Sequence, residues 1–187
     1  MRWDALFADL EGQFGSERRR EHDEDIAQRV RYELGRQGLS ERLRGHCGRR
    51  LRLGLRGPLA LTLRIDEVGP DWLLGGDDAA GPATECLLPL SAVCWVEGLG
   101  LPVQAPPEGR VWHRLDLRRA VRGLAQERVA VRLFTTDGAW EQGTFDRVYA
   151  DHVDFSRHPA GEARRPAAVQ ATRAVPWSAM VLIRRQQ

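Results

Sequence analysis

Large apolar residues alternate with small or polar ones in Leu51-Arg52-Leu53-Gly54-Leu55 and again in Val129-Ala130-Val131-Arg132-Leu133. A period of two places every second side chain on one side of an extended backbone, so each run is predicted to be a strand with one buried face. The same motifs then follow both runs in the same order. Leu63-Arg64-Ile65-Asp66-Glu67-Val68-Gly69-Pro70-Asp71-Trp72-Leu73 answers Gly143-Thr144-Phe145-Asp146-Arg147-Val148-Tyr149-Ala150-Asp151-His152-Val153. After an irregular loop, Leu88-Pro89-Leu90-Ser91-Ala92-Val93 answers Val175-Pro176-Trp177-Ser178-Ala179-Met180. A pattern that recurs in order, with loops of different length, is the signature of a duplicated structural unit.

The segments between these runs supply the turns. Thr135-Thr136-Asp137-Gly138 is a tight-turn signal, because Asp-Gly readily adopts positive φ, and Gly57-Pro58 takes that place in the first unit. A long strand follows, then an Asp-containing turn and a third strand over Trp72 to Leu74 or His152 to Phe155. After a variable polar loop come paired apolar runs ending at Val96 and Ile183. That makes about five short strands per unit, and closing them into a barrel would remove the exposed edges of so small a sheet. A short helix precedes each unit, one capped by Ser40 and carrying Leu43 and Cys47, the other capped by Asp116 and carrying Leu117, Ala120, Val121 and Leu124. The predicted fold is mainly β with N-terminal α-helices: a helical segment over 1–39, a first small barrel over 40–100, a proline-rich linker over 101–114 and a second barrel over 115–187.

A helix followed by a strongly bent five-stranded antiparallel sheet is the layout of Sm-like proteins, the Hfq group included. The second unit resembles their first motif in Asp137-Gly138 at the turn, Gly143-Thr144-Phe145 where the bent strand needs a glycine, then Val148 and the acidic turn at Asp151. The resemblance covers roughly 40 to 98 and 115 to 185, and other small SH3-like barrels share the pattern. It implies an RNA-binding barrel that binds a base through an Asn between the second and third strands and an Arg-Gly between the fourth and fifth. Here the Asn position falls near Trp72 and His152, and Ala92-Val93-Cys94 and Ala179-Met180-Val181 stand where Arg-Gly is expected. The opening Trp3-Asp4-Ala5-Leu6-Phe7-Ala8-Asp9-Leu10 also resembles the start of a group of actinobacterial proteins, which implies no function.

Ahead of the barrels, Trp3, Leu6, Phe7, Leu10 and Phe14 share one face of a predicted amphipathic helix, with Asp4, Asp9 and Glu11 elsewhere. Ile26, Val30 and Leu34 mark a second helix behind the charged run Arg18 to Asp25. Either stripe packs on the barrels or offers a docking surface to a protein partner.

Composition changes the picture in three ways. The chain has no lysine and no asparagine, and a GC-rich genome accounts for both absences, since their codons begin with two adenines; an arginine is therefore not by itself a ligand signal. Between Arg49 and Gly100 there are five arginines against seven acids, whereas from Leu101 onward there are fourteen against nine, so the basic surplus lies in the C-terminal half. The three cysteines, Cys47, Cys86 and Cys94, show no CxxC spacing and read as small core residues. With no apolar run of membrane-spanning length and an acidic, amphipathic start, a cytoplasmic location is expected.

No GxSxG elbow, HExxH helix or phosphate-cradling glycine loop is present, so no catalytic role, metal or cofactor is expected. His22, His46, His113, His152 and His158 read as surface histidines, and Asp77-Asp78 as a solvated pair. The expected function is non-enzymatic binding of single-stranded RNA, with Arg132, Arg147, Arg157, Arg164 and Arg165 pairing with phosphates, and Tyr149, His152 and Trp72 stacking on bases. Arg184 and Arg185 extend that basic set, Trp140 and Trp177 extend the aromatic one, and for Trp72 and Trp177 a core position competes with stacking. The alternative is a protein-interaction or assembly adaptor that recruits its partner through Trp3, Leu6, Phe7, Leu10 and Phe14. The units are expected to pair edge to edge within the chain, which favours a monomer or dimer over a ring.

Overall fold

The structure is a computed structural model; it describes residues 22, 28–29, 32, 35–77, 79, 84–100, 114–158 and 170–186. The chain divides into two compact units, Met1–Gly38 and Leu39–Gln187. In the first, His22, Gln28, Arg29, Tyr32, Gly35 and Arg36 are helical and exposed, with the Arg36 guanidinium 5.6 Å from the centre of the Tyr32 ring. Trp3, Leu6, Phe7, Leu10 and Phe14 lie outside the described residues, as do Ile26, Val30 and Leu34.

The second unit runs α1 (Leu39–Arg44), β1 (Arg50–Leu55), β2 (Ala60–Val68), β3 (Trp72–Gly76), β4 (Glu85–Pro89), β5 (Val93–Glu97), α2 (Leu117–Gln126), β6 (Val131–Thr135), β7 (Trp140–Val148), β8 (His152–Arg157), β9 (Ala171–Pro176) and β10 (Met180–Arg185). A single 3-10 turn, Leu90–Ala92 or Trp177–Ala179, joins the last two strands of each repeat. Register bears out the equivalence of the later strands: Trp72 lies opposite Pro89 and His152 opposite Pro176, and bulges interrupt β2–β3 after Ile65 and β7–β8 after the corresponding Phe145. The first strands are corrected by two residues, since Leu51 opposite Leu63 answers Val131 opposite Gly143 and not the expected Val129. The bend at Gly143 leaves no room for a side chain, since a Cβ there would run into the Ser156 carbonyl oxygen. Gly138 closes the Asp137-Gly138 turn at φ 83°.

The expectation of two separately closed barrels is corrected. All ten strands form one antiparallel sheet in the order β5-β1-β2-β3-β4-β10-β6-β7-β8-β9. Each half keeps five strands with its last strand beside its first. Among the described residues, however, nothing pairs β4 with β5 or β9 with β10, because the edge of β4 is taken by β10, Leu87 opposite Ile183 and Cys86 opposite Arg184. The two repeats therefore do meet edge to edge.

This seam changes the burial pattern. β2 reads as a one-sided strand, with Leu61, Leu63 and Ile65 buried and Ala60, Thr62 and Arg64 exposed. Strands β3, β4 and β10 are buried on both faces: Leu73, Cys86, Leu88, Val181 and Leu182 enter the first core, and Trp72, Leu87, Met180 and Ile183 enter the second. Each such side chain removed from water contributes about 1.5–3 kcal/mol.

α1 packs on β2 and α2 on β7. Asp116 caps α2, its Oδ1 accepting from the Arg119 amide at 2.9 Å, and Leu117 and Val121 lie on the buried face. Ser40, expected to cap α1, lies inside it. Three further expectations are corrected. Cys94 is exposed, because β5 is an edge strand. His46 is buried, with Nδ1 2.8 Å from the Arg42 carbonyl oxygen, and His158 is buried as well. Asp77 is buried because Arg184 pairs with it.

Candidate nucleic-acid interface

The turn that joins β7 to β8 carries two of the expected residues side by side. Tyr149 and His152 stack, their ring centres 4.4 Å apart at 14°, and the Tyr149 amide donates to the His152 carbonyl at 2.9 Å. The His152 ring is held from behind by Asp151, with Nδ1 2.6 Å from Oδ1, and the Tyr149 hydroxyl donates to Asp154 Oδ2 at 3.4 Å. That hydrogen bond from His152, helped by a backbone N–H, holds the Asp151 carboxyl below the usual carboxylate range. Tyr149 is 39% exposed, so the stack is a surface platform and not part of the core.

Beside it lies a cleft of about 470 Å³ lined by Gln126, Arg128, Asp146, Arg147, Asp154 and Thr172. Arg128 reaches it because the backbone after α2 turns left-handed at φ 50°, where glycine or asparagine is the usual occupant. Asp146 is tethered by the Ser156 hydroxyl, which donates to Oδ2 at 2.6 Å. Two guanidiniums face two carboxylates here, so the cleft is polar and nearly balanced in charge.

The other expected residues do not converge on this turn. The Arg132 guanidinium lies 4.3 Å from the centre of the Trp140 ring, which is 52% exposed, while its Nε is buried without a hydrogen-bond partner. Arg157 donates to Gln170 Oε1 at 3.1 Å and lies 3.6 Å from Glu141, which Arg173 holds at 2.6 Å. Arg184 and Arg185 belong to β10 and are paired with Asp77 and Glu85 at 2.5 and 2.8 Å. Arg164 and Arg165 lie outside the described residues. Arg128, Gln126 and Asp154 had no sequence signal, since their approach depends on how α2 ends and on the register of β8.

Trp72 is corrected from a stacking residue to a core one. It is 4% exposed, and its indole Nε1 donates to the Leu115 carbonyl at 2.7 Å. Asp71 beside it accepts from the Leu117 amide at 2.8 Å. The first repeat's turn is thus filled by the connector that starts α2. The backbone frame is nevertheless the same in both repeats: Leu90 N–H donates to Asp71 C=O at 2.8 Å, and Trp177 N–H to Asp151 C=O at 3.1 Å.

Among the described residues no three His, Cys, Asp or Glu side chains gather as metal ligands, and no helix is long and apolar enough to cross a membrane. Compared with known proteins, the chain matches no family model, no curated protein and no solved structure.

Proposed function

We propose that the chain is a non-enzymatic module for single-stranded RNA, acting in the cytoplasm and built on two Sm-like five-stranded units fused through their edges into one sheet. The observation that carries this is the exposed Tyr149–His152 stack set beside Arg147 and Arg128. A ring pair standing on a surface turn accepts an unpaired base by stacking, which every base tolerates. Guanidiniums nearby neutralise the phosphates on either side. Asp146 and Asp154 limit that attraction, so binding is expected to be modest and short in footprint. The test is fluorescence anisotropy of short labelled single-stranded RNAs at roughly 50 and 200 mM salt. With about two phosphate contacts the affinity should fall roughly sevenfold between them. No salt-sensitive binding at micromolar protein would remove the proposal.

A second reading, an assembly adaptor without nucleic-acid activity, is supported by the internal pairing of Arg157, Arg173, Arg184 and Arg185 with acids, which leaves fewer guanidiniums for phosphate. Capture from native extract with and without nuclease separates the two. Protein partners that survive nuclease, with no co-purifying nucleic acid, favour the adaptor.

A further inference from the structure

α2 packs chiefly against β7, which lies well along the sheet from β3 and β4 of the first repeat. An open cleft of about 240 Å³ remains between the helix and the seam. One wall is Leu74 and Leu87 from the first repeat, and the other is Ala120, Leu124 and Val129 from the second, with Trp72 contributing to the lining as well. Leu74, Ala120, Leu124 and Val129 are each only half-buried. Concave apolar surface of this kind gains free energy by taking up an apolar group. It is the opposite of the cleft beside Tyr149, whose lining is mostly charged and polar.

The exposed residues of the lining are all charged and mark its mouth: Glu85, Glu127 and Arg185. Arg185 donates to Glu85 Oε2 at 2.8 Å, so these two charges cancel within the pair. Glu85, through that hydrogen bond and its charge, and Glu127, through charge alone, hold the Arg185 guanidinium more firmly protonated than usual. Glu127 is the charge left over, with no ion pair within the described residues. It also caps the C-terminus of α2, where the aligned peptide dipoles place partial negative charge and where a cation is the favoured neighbour. The last turn of α2 supplies no basic residue, and the left-handed backbone at Arg128 carries that guanidinium to the other cleft. The mouth is therefore negative in balance.

We infer that this cleft binds a small amphipathic cation, an apolar ring or chain bearing one ammonium group, with the apolar body between Leu74 and Leu124 and the ammonium against Glu127. The volume sets the size. At about 240 Å³ it lies below the roughly 300–1,000 Å³ of sites for drug-sized ligands, so one ring with a short arm fills it. Charge sets the sign, because an anionic head would meet Glu127 and the helix terminus while Arg185 is already engaged by Glu85. Arg184 and Arg185 are neighbours on β10 and project to opposite faces. The ligand would thus join the two repeats on one face of the seam as the Asp77–Arg184 pair joins them on the other.

The inference is independent of RNA and is tested without it, by methyl NMR of the full chain at neutral pH, titrated with phenethylamine, phenethyl alcohol and hydrocinnamate. These share an aromatic body and differ in charge. The amine should shift the Leu74, Leu124 and Val129 methyls saturably and bind about fivefold more tightly than the alcohol, with hydrocinnamate the weakest. Glu127→Gln should cut the preference for the amine roughly threefold and leave the affinity for the alcohol unchanged. Ala120→Leu fills the cleft with a helix-favouring residue and should abolish binding of all three. Circular dichroism confirms that each variant folds, and Glu127→Gln, at an exposed position, keeps the test valid should filling the cleft disturb the core. No saturable shift at these methyls with millimolar amine overturns the inference. Equal affinities for the three compounds overturn it too, as do amine shifts confined to Tyr149 and His152, an unchanged preference in Glu127→Gln, or undiminished binding by folded Ala120→Leu.

Discussion

Gly69–Trp72 and Tyr149–His152 stand at the same place in the two repeats. Each closes a bulged antiparallel pair, and each has an Asp whose carbonyl accepts an amide from the 3-10 turn that follows. Their side chains part company. In the first repeat the connector before α2 arrives at the turn, and Trp72 and Asp71 become its anchors through Leu115 and Leu117. In the second, Tyr149 and His152 stack on each other at the surface. A turn of one backbone shape is thus structural where another segment takes up its side chains, and available for binding where, as here, α2 reaches only its backbone, Arg118 donating to the Ala150 carbonyl at 3.3 Å. An aromatic residue at this position has no fixed role until its neighbours are known.

Substitutions should divide along that line. Trp72→Ala is expected to have the largest effect, a loss of roughly 3–5 kcal/mol in denaturant unfolding, because it empties a core site and strands the Leu115 carbonyl. Asp77→Ala should cost about 3 kcal/mol, since Arg184 is then left at the seam without its carboxylate. A wild-type midpoint for either variant would break the contrast. Tyr149→Ala should do the opposite, shifting stability by less than about 0.5 kcal/mol while lowering RNA affinity roughly tenfold by anisotropy. A destabilised Tyr149→Ala protein with unchanged affinity would make the second turn as structural as the first.

The smallest effect is electrostatic. Hydrogen bonding from His152 lowers the folded pKa of Asp151, so this carboxylate favours the fold above the ordinary carboxylate range and loses that contribution as pH falls through its folded midpoint. His152→Ala should move the Asp151 midpoint upward in an NMR titration, and an unmoved midpoint would show that the ring does not hold the carboxylate.

The repeat, the succession of five strands in each unit and the turns were legible because period-two alternation and Asp-Gly chemistry are local. Asp116 as a helix cap was legible for the same reason. The single sheet was harder to foresee in its details. Nothing local tells β4 that its edge belongs to β10, although the double-sided apolar runs Cys86-Leu87-Leu88 and Met180-Val181-Leu182-Ile183 are what a strand between two cores requires. At the candidate site, Arg147, Tyr149 and His152 were legible as a group because they flank one turn. Arg128 was not, because its position depends on a left-handed residue at a helix end that lacks glycine. Trp72 was read both as a core and as a stacking residue, because a tryptophan in a strand has the same local sequence signal whether it is covered or not; its burial decides for the core.

The seam also bears on synthesis. Leu87 emerges from the ribosome long before Ile183, its partner, and β10 is the last of the ten strands to be made. Until it arrives, β4 has a bare edge and both cores lack a wall, the first missing Val181 and Leu182, the second Met180 and Ile183. Contacts this distant in sequence slow folding. The nascent first repeat therefore has no finished state to wait in, and a stop codon just before Met180 would disable both halves of the molecule with the loss of a single strand.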